Sequence, residues 1–505
     1  MVGAEWTALQ NGADIRGVAS EGIIGEKVTL TSDKVSAIGR GFVQWLWQRL
    51  GKHPLRIALG TDCRITGPHF ILDLEQAITH MGCDVLHCGL TSTPSMLIST
   101  KLPEINADGA IMLTITGSHM SFNGNGMKFF TSGDGITPKN LEEIIHYASK
   151  PYIGKEKIGQ SHITNLQAIY TMGLRRMISD ALESPDGKPL SGLKIIVDAG
   201  NGTGAFYVHR VLRPLGADVS ASQFLTPDGR FPNHVPDPDN YEAMRSIATS
   251  VLYNHADLGI LFDSDLDRVA FVDSEGRNIN RNELVAMASA IVLEEHPNTA
   301  IVTDSTTSTG LSKFITNILS GKHYRYQRGY QNVIKEAKRL NNSGTECWLA
   351  IETSGHAAFR ENAFVDDAAY FATKIVVRLA QLKRQNKPLF TLIEKLPVPQ
   401  ESEEYRLPIN DNDFNRIASE TLIAMRQYVS HIPGWEETTQ NYDGLRVVCS
   451  NDYEQGWFII RQSLHDAVMP INVESDIKGG TDAILKKLRL FFRNIHGIDS
   501  TQLYQ

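Results

Sequence analysis

Apolar and polar positions alternate along this chain in two rhythms. Through the first three quarters, short unbroken apolar runs are followed by an Asp, a polar loop with Gly or Thr, an amphipathic stretch and a Gly turn. "LRIALGTDCRITGPHFILDLEQAITHMGCDV" from Leu55, "LKIIVDAGNGTGAFYVHRVLRPLGADV" from Leu193 and "TAIVTDSTTSTGLSKFITNILSGKHY" from Thr299 all follow this order. Continuous β-favouring runs alternating with helices predict mostly parallel sheets covered on both faces. Three copies of similar size predict three similar α/β domains. Beyond the Pro- and Glu-rich break "LPVPQESEEYRLP" the rhythm changes. "YRLPI", "LRVVCS", "GWFIIRQS" and "MPINVES" read as short, partly alternating strands, flanked by helices in "SETLIAMRQYV" and "TDAILKKLRLFFRNI". That pattern predicts a C-terminal α+β domain with an antiparallel sheet. With the linkers "HYASKPYIGKEKIG" and "VDSEGRNINRNE", the expected α/β domains cover residues 1–160, 161–276 and 277–395, and the α+β domain covers 396–505.

A length of 505 residues suits three or four domains at roughly 150 residues each. The formal net charge of −8 offers no basic face for nucleic acid or an acidic membrane. A local cluster of Arg and Lys would still accept an anionic substrate. Five cysteines, Cys63, Cys83, Cys88, Cys347 and Cys449, form no paired spacing and point to a reducing compartment. No apolar run reaches the roughly 18 residues of a membrane helix. The N-terminus "MVGAEWTALQNG" has neither a signal-peptide nor a transit-peptide pattern. A cytoplasmic location is expected, or the plastid stroma where a transit peptide has been removed.

Ligands of α/β sheets collect where strands end, so the loops after the apolar runs are the places to search. In "TITGSHMSFNGNGMKFF" Ser118 follows the run "GAIMLTIT". Its hydroxyl suits acceptance or donation of a phosphoryl group, with His119 and Lys128 supplying protons or charge. The Asn-Gly turns at 123–126 would fold Lys128 back toward it. The plain alternative is a loop Ser capping a backbone amide. In "LGILFDSDLDRVAFVD", Asp263, Asp265 and Asp267 alternate between two apolar runs, with Arg268 beside them. Three carboxylates this close repel unless a hard cation such as Mg²⁺ or Ca²⁺ holds them. An EF-hand is excluded, because Arg268 and Ser274 stand where it needs Gly and Glu. A solvated acidic turn would not need two buried flanks.

Two further loops are more ambiguous. In "AIETSGHAAF", Glu352, Ser354 and His356 suit paired hydrogen bonds to sugar hydroxyls; Ser354 would equally serve as a helix N-cap. In "GWFIIRQSLHDA", Arg461 and Ser463 share a face and His465 follows, a set suited to phosphate; a surface arginine is the alternative. "DAGNGTGA" gives Gly200, Gly202 and Ala205 the spacing of a dinucleotide fingerprint. However, Asp218 opens a strand where the ribose-binding acid should end one, and the other two copies lack these glycines.

In their order and company these loops resemble the α-D-phosphohexomutase superfamily, over nearly the whole chain. "ADIRG" (Ala13 to Gly17), "TGSHMSFNGNGMK", "DSDLDR", "ETSGH", "PDGRFPNHVPDP" and "YDGLRV" all have counterparts there. The resemblance implies four domains around a central cleft. It implies a phosphoserine at Ser118, and one Mg²⁺ per chain held by Asp263, Asp265, Asp267 and a Ser118 phosphate oxygen. Arg16 and Arg268 would steady the phosphoryl group. Lys128, with His356 or His119, would act as general acid and base. Glu352 and Ser354 would hold sugar hydroxyls, and Arg461, Ser463 and His465 the phosphate that is not transferred. Hexose 1,6-bisphosphate would be intermediate and activator, and the protein a monomer or homodimer binding a small sugar phosphate.

Some positions depart from the family pattern. Met120 and Ser121 replace the usual Asn-Pro, Leu464 and His465 alter the phosphate loop, and Tyr330 stands where a His or Lys often follows Gly. The chemistry is therefore better specified than the substrate. The expected reaction is interconversion of hexose 1-phosphate and hexose 6-phosphate, with glucose or mannose phosphate first. A phosphoglucosamine mutase and a non-catalytic phosphosugar-binding descendant are the alternatives.

Overall fold

The computed structural model describes residues 3–504 apart from 116–120, 134, 153–157, 412, 440 and 464–466. Among the described residues there are four sheets. The chain divides into two compact units: Met1–Asn280 with Ser354–Ala357 and Val365–Thr391, and Arg281–Thr353 with Ala358–Phe364 and Leu392–Gln505.

In the first unit, the apolar run from Leu55 becomes the strand Arg56–Thr61, buried from Ile57 onward. It lies parallel to Asp84–Leu90 on one side and Gly109–Leu113 on the other. Gly124–Thr131 then returns antiparallel to Gly109–Leu113 and pairs with Asp14–Val18. That mixed seven-stranded sheet brings Arg16 and Lys128 onto adjacent strands. Its last strand, Ser161–Ile163, pairs with Asp84–Leu90 and lies beyond the expected domain limit at residue 160. All three of its residues are exposed, so no apolar run announces them.

The second sheet also belongs to the first unit. Ile195–Asp198 runs parallel to Leu258–Phe262, which turns back antiparallel into Val269–Asp273. After "DAGNGTGA" the chain forms not a regular helix but a widened π-turn, Tyr207–Leu212, then a tight turn Arg213–Leu215 ending on Gly216 at φ 95°. Pro214 lies in that tight turn, and a proline supplies no N–H to continue an α-helical ladder. The helix Ala368–Arg384 groups with the first unit. It packs Phe371 edge-on against Phe271 and ties Tyr207 to Thr373.

In the second unit Ala300–Asp304 lies between parallel partners Lys322–Tyr326 and Cys347–Ile351. The fourth sheet is wholly antiparallel, in the order Glu401–Pro408, Val468–Ser475, Gly456–Ile460, Leu445–Cys449, Trp435–Glu437. The stretch read as an acidic break is therefore partly a strand. Its glutamates have a local reason: Glu401 accepts hydrogen bonds from the Gly479 and Thr481 amides. These donors open the helix Gly480–Phe492, and a carboxylate is stabilised at a helix N-terminus. Among the described residues no helix is long and apolar enough to cross a membrane.

Candidate active site

The acidic loop is a short hairpin turn. Phe262 and Val269 are cross-strand partners, and the Arg268 amide donates to Asp263 Oδ1 at 3.2 Å to close the turn. Leu266 takes a left-handed φ of 64° and is fully buried, which turns the alternating aspartates inward. Asp263, Asp265 and Asp267 are all buried, and each offers a carboxylate oxygen within 4.8 Å of the others.

Three such charges survive burial only with compensation. Lys128 Nζ, from the first sheet, donates to Asp265 Oδ2 at 3.0 Å and Asp267 Oδ2 at 2.8 Å. Thr93 Oγ1 donates to Asp265 Oδ2 at 2.6 Å. Arg268 spans Asp263 at 3.3 Å and Asp237 at 3.0 Å. Burial and the charges of Asp267 and Asp265 hold Asp263 well above the ordinary carboxylate range. Burial would raise Asp267 too, but Lys128 and then His356 hold it below that range.

Asp265 Oδ1 and Asp267 Oδ1 are buried with no hydrogen-bond partner among the described residues. Buried acceptors left open are costly. Two open anionic oxygens beside a third carboxylate are what a hard, oxygen-loving cation requires, so the residues fit Mg²⁺.

Arg16 pairs with Asp14 at 3.4 Å. Burial raises the Asp14 carboxyl, while Lys128 and Arg16 oppose this and Asp267 reinforces it, so this arginine belongs to the same electrostatic neighbourhood. His356 Nδ1 lies 2.5 Å from Asp366 Oδ2, and the Ala357 amide donates to Asp366 Oδ1 at 3.0 Å. Asp267, His356 and Asp366 form a second close group. Ser354 caps no helix: Gly355 follows at φ 102° and then the strand Ala357–Phe359. The Ser354 hydroxyl is buried with no hydrogen-bond partner among the described residues.

In the second unit, Glu352 accepts from the Gly329 amide at 2.6 Å, at the start of the helix Tyr330–Asn342. Tyr330 is the first residue of that helix. Arg461 and Ser463 follow the strand Gly456–Ile460, and both are buried rather than on the surface. Arg461 Nε has no hydrogen-bond partner among the described residues. Burial, reinforced by Arg328, pushes this guanidinium down to about 10. Ser118, His119 and His465 lie outside the described residues.

Sequence reasoning missed Thr93, Asp237 and Asp366. Asp237 lies inside the quoted "PDGRFPNHVPDP", whereas Thr93 and Asp366 lie in stretches with no signal of their own. The glycine run "DAGNGTGA" has a structural explanation in place of a dinucleotide. A Cβ at Gly202 would lie 2.6 Å from Ser264 O and 2.7 Å from Ser264 Cα, so the run exists to let backbone approach the acidic loop.

Three α/β modules, an antiparallel fourth domain and an acidic metal-type turn facing a lysine are the features of an α/β enzyme that handles phosphate. The chain belongs to the phosphoglucomutase/phosphomannomutase family: its α/β/α domains I, II and III match residues 8–151, 175–276 and 280–399. A phosphomannomutase/phosphoglucomutase of Pseudomonas aeruginosa is 27% identical over 492 residues, covering 97% of this chain and 95% of that protein. A phosphoglucomutase of Neisseria gonorrhoeae is 26% identical over 480 residues, covering 94% and 95%. Among solved structures, a phosphoglucomutase/phosphomannomutase family protein from Burkholderia thailandensis superposes with a TM-score of 0.77 at 24% identity, covering 98% of each chain.

Proposed function

We propose that this phosphohexomutase interconverts hexose 1-phosphate and hexose 6-phosphate, with glucose or mannose as the sugar, through a phosphoserine at Ser118 and a hexose 1,6-bisphosphate intermediate. The carrying observation is the pair of open, buried oxygens on Asp265 and Asp267 beside the Lys128 ammonium. With Asp263 and a Ser118 phosphate oxygen they would hold one Mg²⁺. Bound there, the ion supplies positive charge to phosphoryl oxygens that carry nearly two negative charges at neutral pH.

The chain's own residues do the rest. A free sugar hydroxyl attacks the Ser118 phosphorus; the bond to Ser118 Oγ breaks and a bond to the sugar oxygen forms. The resulting bisphosphate reorients and returns its other phosphoryl group to Ser118. Phosphoryl transfer asks mainly for positioning and charge neutralisation. Arg16, Lys128 and Arg268 provide the charge. Lys128 and His356 exchange protons with the sugar hydroxyl, His119 being the alternative; Asp366 holds Nδ1 of His356 and leaves Nε2 for that exchange. Glu352, Ser354 and Tyr330 orient the sugar. Arg461, Ser463 and His465 hold the phosphate that stays in place.

The names of the relatives favour glucose and mannose phosphates over glucosamine phosphate or a non-catalytic role. Incubating Ser118→Ala with glucose 1-phosphate, Mg²⁺ and a trace of bisphosphate is expected to give no glucose 6-phosphate. Unchanged turnover would discard the phosphoserine. The same assay with mannose and glucosamine 1-phosphates ranks the sugars.

A further inference from the structure

The turn after the strand Arg56–Thr61 carries Asp62, Cys63 and Arg64, none of which has a role in the reaction above. Arg64 is nevertheless one of the largest fully buried side chains, at 1% exposure. A buried guanidinium is tolerated only when its donors are well used. Here they go to backbone carbonyls. Nε donates to Ile115 O at 3.0 Å, and one terminal nitrogen donates to Ser121 O at 2.5 Å and Gly124 O at 3.0 Å.

Ile115 and Ser121 stand immediately before and after residues 116–120 in the sequence. A single rigid fork thus binds the chain on both sides of the segment that contains Ser118. The turn is itself anchored: Asp62 accepts from the Arg64 amide at 2.8 Å and from Thr114 Oγ1 at 2.6 Å. Behind it lies "PDGRF" of the second domain. A Cβ at Gly229 would lie 2.6 Å from Cys63 O and 2.8 Å from Arg64 Cα, and the Phe231 ring sits 5.5 Å from the Arg64 guanidinium carbon.

We propose that Arg64 is a positioning residue for the Ser118 nucleophile, clamping both ends of its loop, with the turn at Gly229 as the wall that seats the clamp. The proposal rests on the reading of Ser118 as the phosphorylated residue. Arginine suits the task because its planar fork fixes several donors at once, whereas a lysine is a single flexible point charge. Misplacing a reacting group by about 1 Å costs on the order of 100-fold in rate.

The test uses full-length wild type, Arg64→Lys and Gly229→Ala. Gly229→Ala keeps every polar group and only pushes on the turn. Steady-state kinetics with glucose 1-phosphate and Mg²⁺ are combined with amide hydrogen exchange over peptides 114–124 and 258–273. Arg64→Lys should lower kcat roughly 10- to 100-fold with KM within about twofold. Exchange should quicken over 114–124 and stay unchanged over 258–273, and Gly229→Ala should shift both readouts less, in the same direction. Full kcat with unaltered exchange over 114–124 in either variant overturns the clamp. So does faster exchange spread evenly over both peptides, which marks general destabilisation. If Arg64→Lys fails to fold, Gly229→Ala decides alone. A wild type inactive on every hexose phosphate discards the mutase reading instead, while the exchange comparison still decides whether Arg64 holds the loop ends.

Discussion

The acidic turn of the first unit and the arginine-bearing strands of the second leave buried charge unsatisfied in opposite senses. At residues 263–267 the open groups are acceptors, Oδ1 of Asp265 and of Asp267. In the second unit the open charged groups are donors: Arg461 Nε and one terminal nitrogen of Arg446 are buried without a hydrogen-bond partner among the described residues. The first set has a single lysine lodged between two carboxylates. In the second set, Arg446 lies 3.5 Å over the Trp457 ring and donates to Ser305 O at 2.8 Å. Burial, with Arg325 adding to it, pushes Arg446 well below its ordinary range. A surplus of buried acceptors suits a cation, and a surplus of buried donors suits an anion. The proposed phosphoryl transfer calls for both a cation-binding and an anion-binding group.

Removing the cation of the first set should have the largest effect. Lys128→Met leaves Asp265 and Asp267 facing each other, and breaking a buried pair costs about 3–5 kcal/mol. Urea unfolding should show that loss in metal-free protein, with Mg²⁺ restoring much of it. A loss that Mg²⁺ leaves unchanged would break the contrast, since the turn would then not be cation-seeking. Next, Asp267→Asn should weaken Mg²⁺ at least about 100-fold, beyond what loss of an outer-shell partner costs, read by titration calorimetry. In the second unit, Arg461→Lys keeps the charge but loses the fork. It should raise KM about 10-fold with a smaller change in kcat, whereas an unchanged KM would remove Arg461 from anion binding.

The smallest expected effect concerns pH. Burial lifts Glu474 to about 7, although Arg446 opposes this. A raised carboxyl keeps its proton in the folded state after the unfolded chain has lost it. The unfolded state then binds fewer protons, so stability falls as pH rises from 4.5 toward about 7. Glu474→Gln should flatten that fall by about 1–3 kcal/mol, followed by thermal unfolding across the window. An unaltered pH profile would show that Glu474 is already ionised against its arginines.

Particular elements show how far the sequence could be read. The aspartates of "DSDLDR" were legible because unbroken apolar runs on both sides can only be buried strands, and a turn between buried strands is itself enclosed. Lys128 reaches the aspartates by another route than the expected Asn-Gly turns: Gly124–Thr131 is a strand, Asn125 and Gly126 pair with Gly17 and Arg16 inside it, and Lys128 meets Asp265 and Asp267 from that strand. Thr93 was not legible, because it acts on Asp265, far away in the sequence; Asp366 was not, because its partner His356 lies ten residues back across a turn, and neither residue type nor spacing marks the pair. The strand Ser161–Ile163 was missed since nothing apolar marks an exposed edge. The helix Ala368–Arg384 groups with the first unit through contacts such as Phe371 on Phe271, which only the folded chain brings together.

Local chemistry along the chain thus determined the fold class, the acidic turn and the family motifs, because periodicity, turn residues and short spacings are properties of neighbours in sequence. Which oxygens stay open, which lysine lies between them and which arginine binds both flanks of the Ser118 segment were decided only by tertiary structure. Hydrogen-bond satisfaction is a property of atoms brought together in space, and no spacing along a strand or loop specifies what arrives from the next sheet.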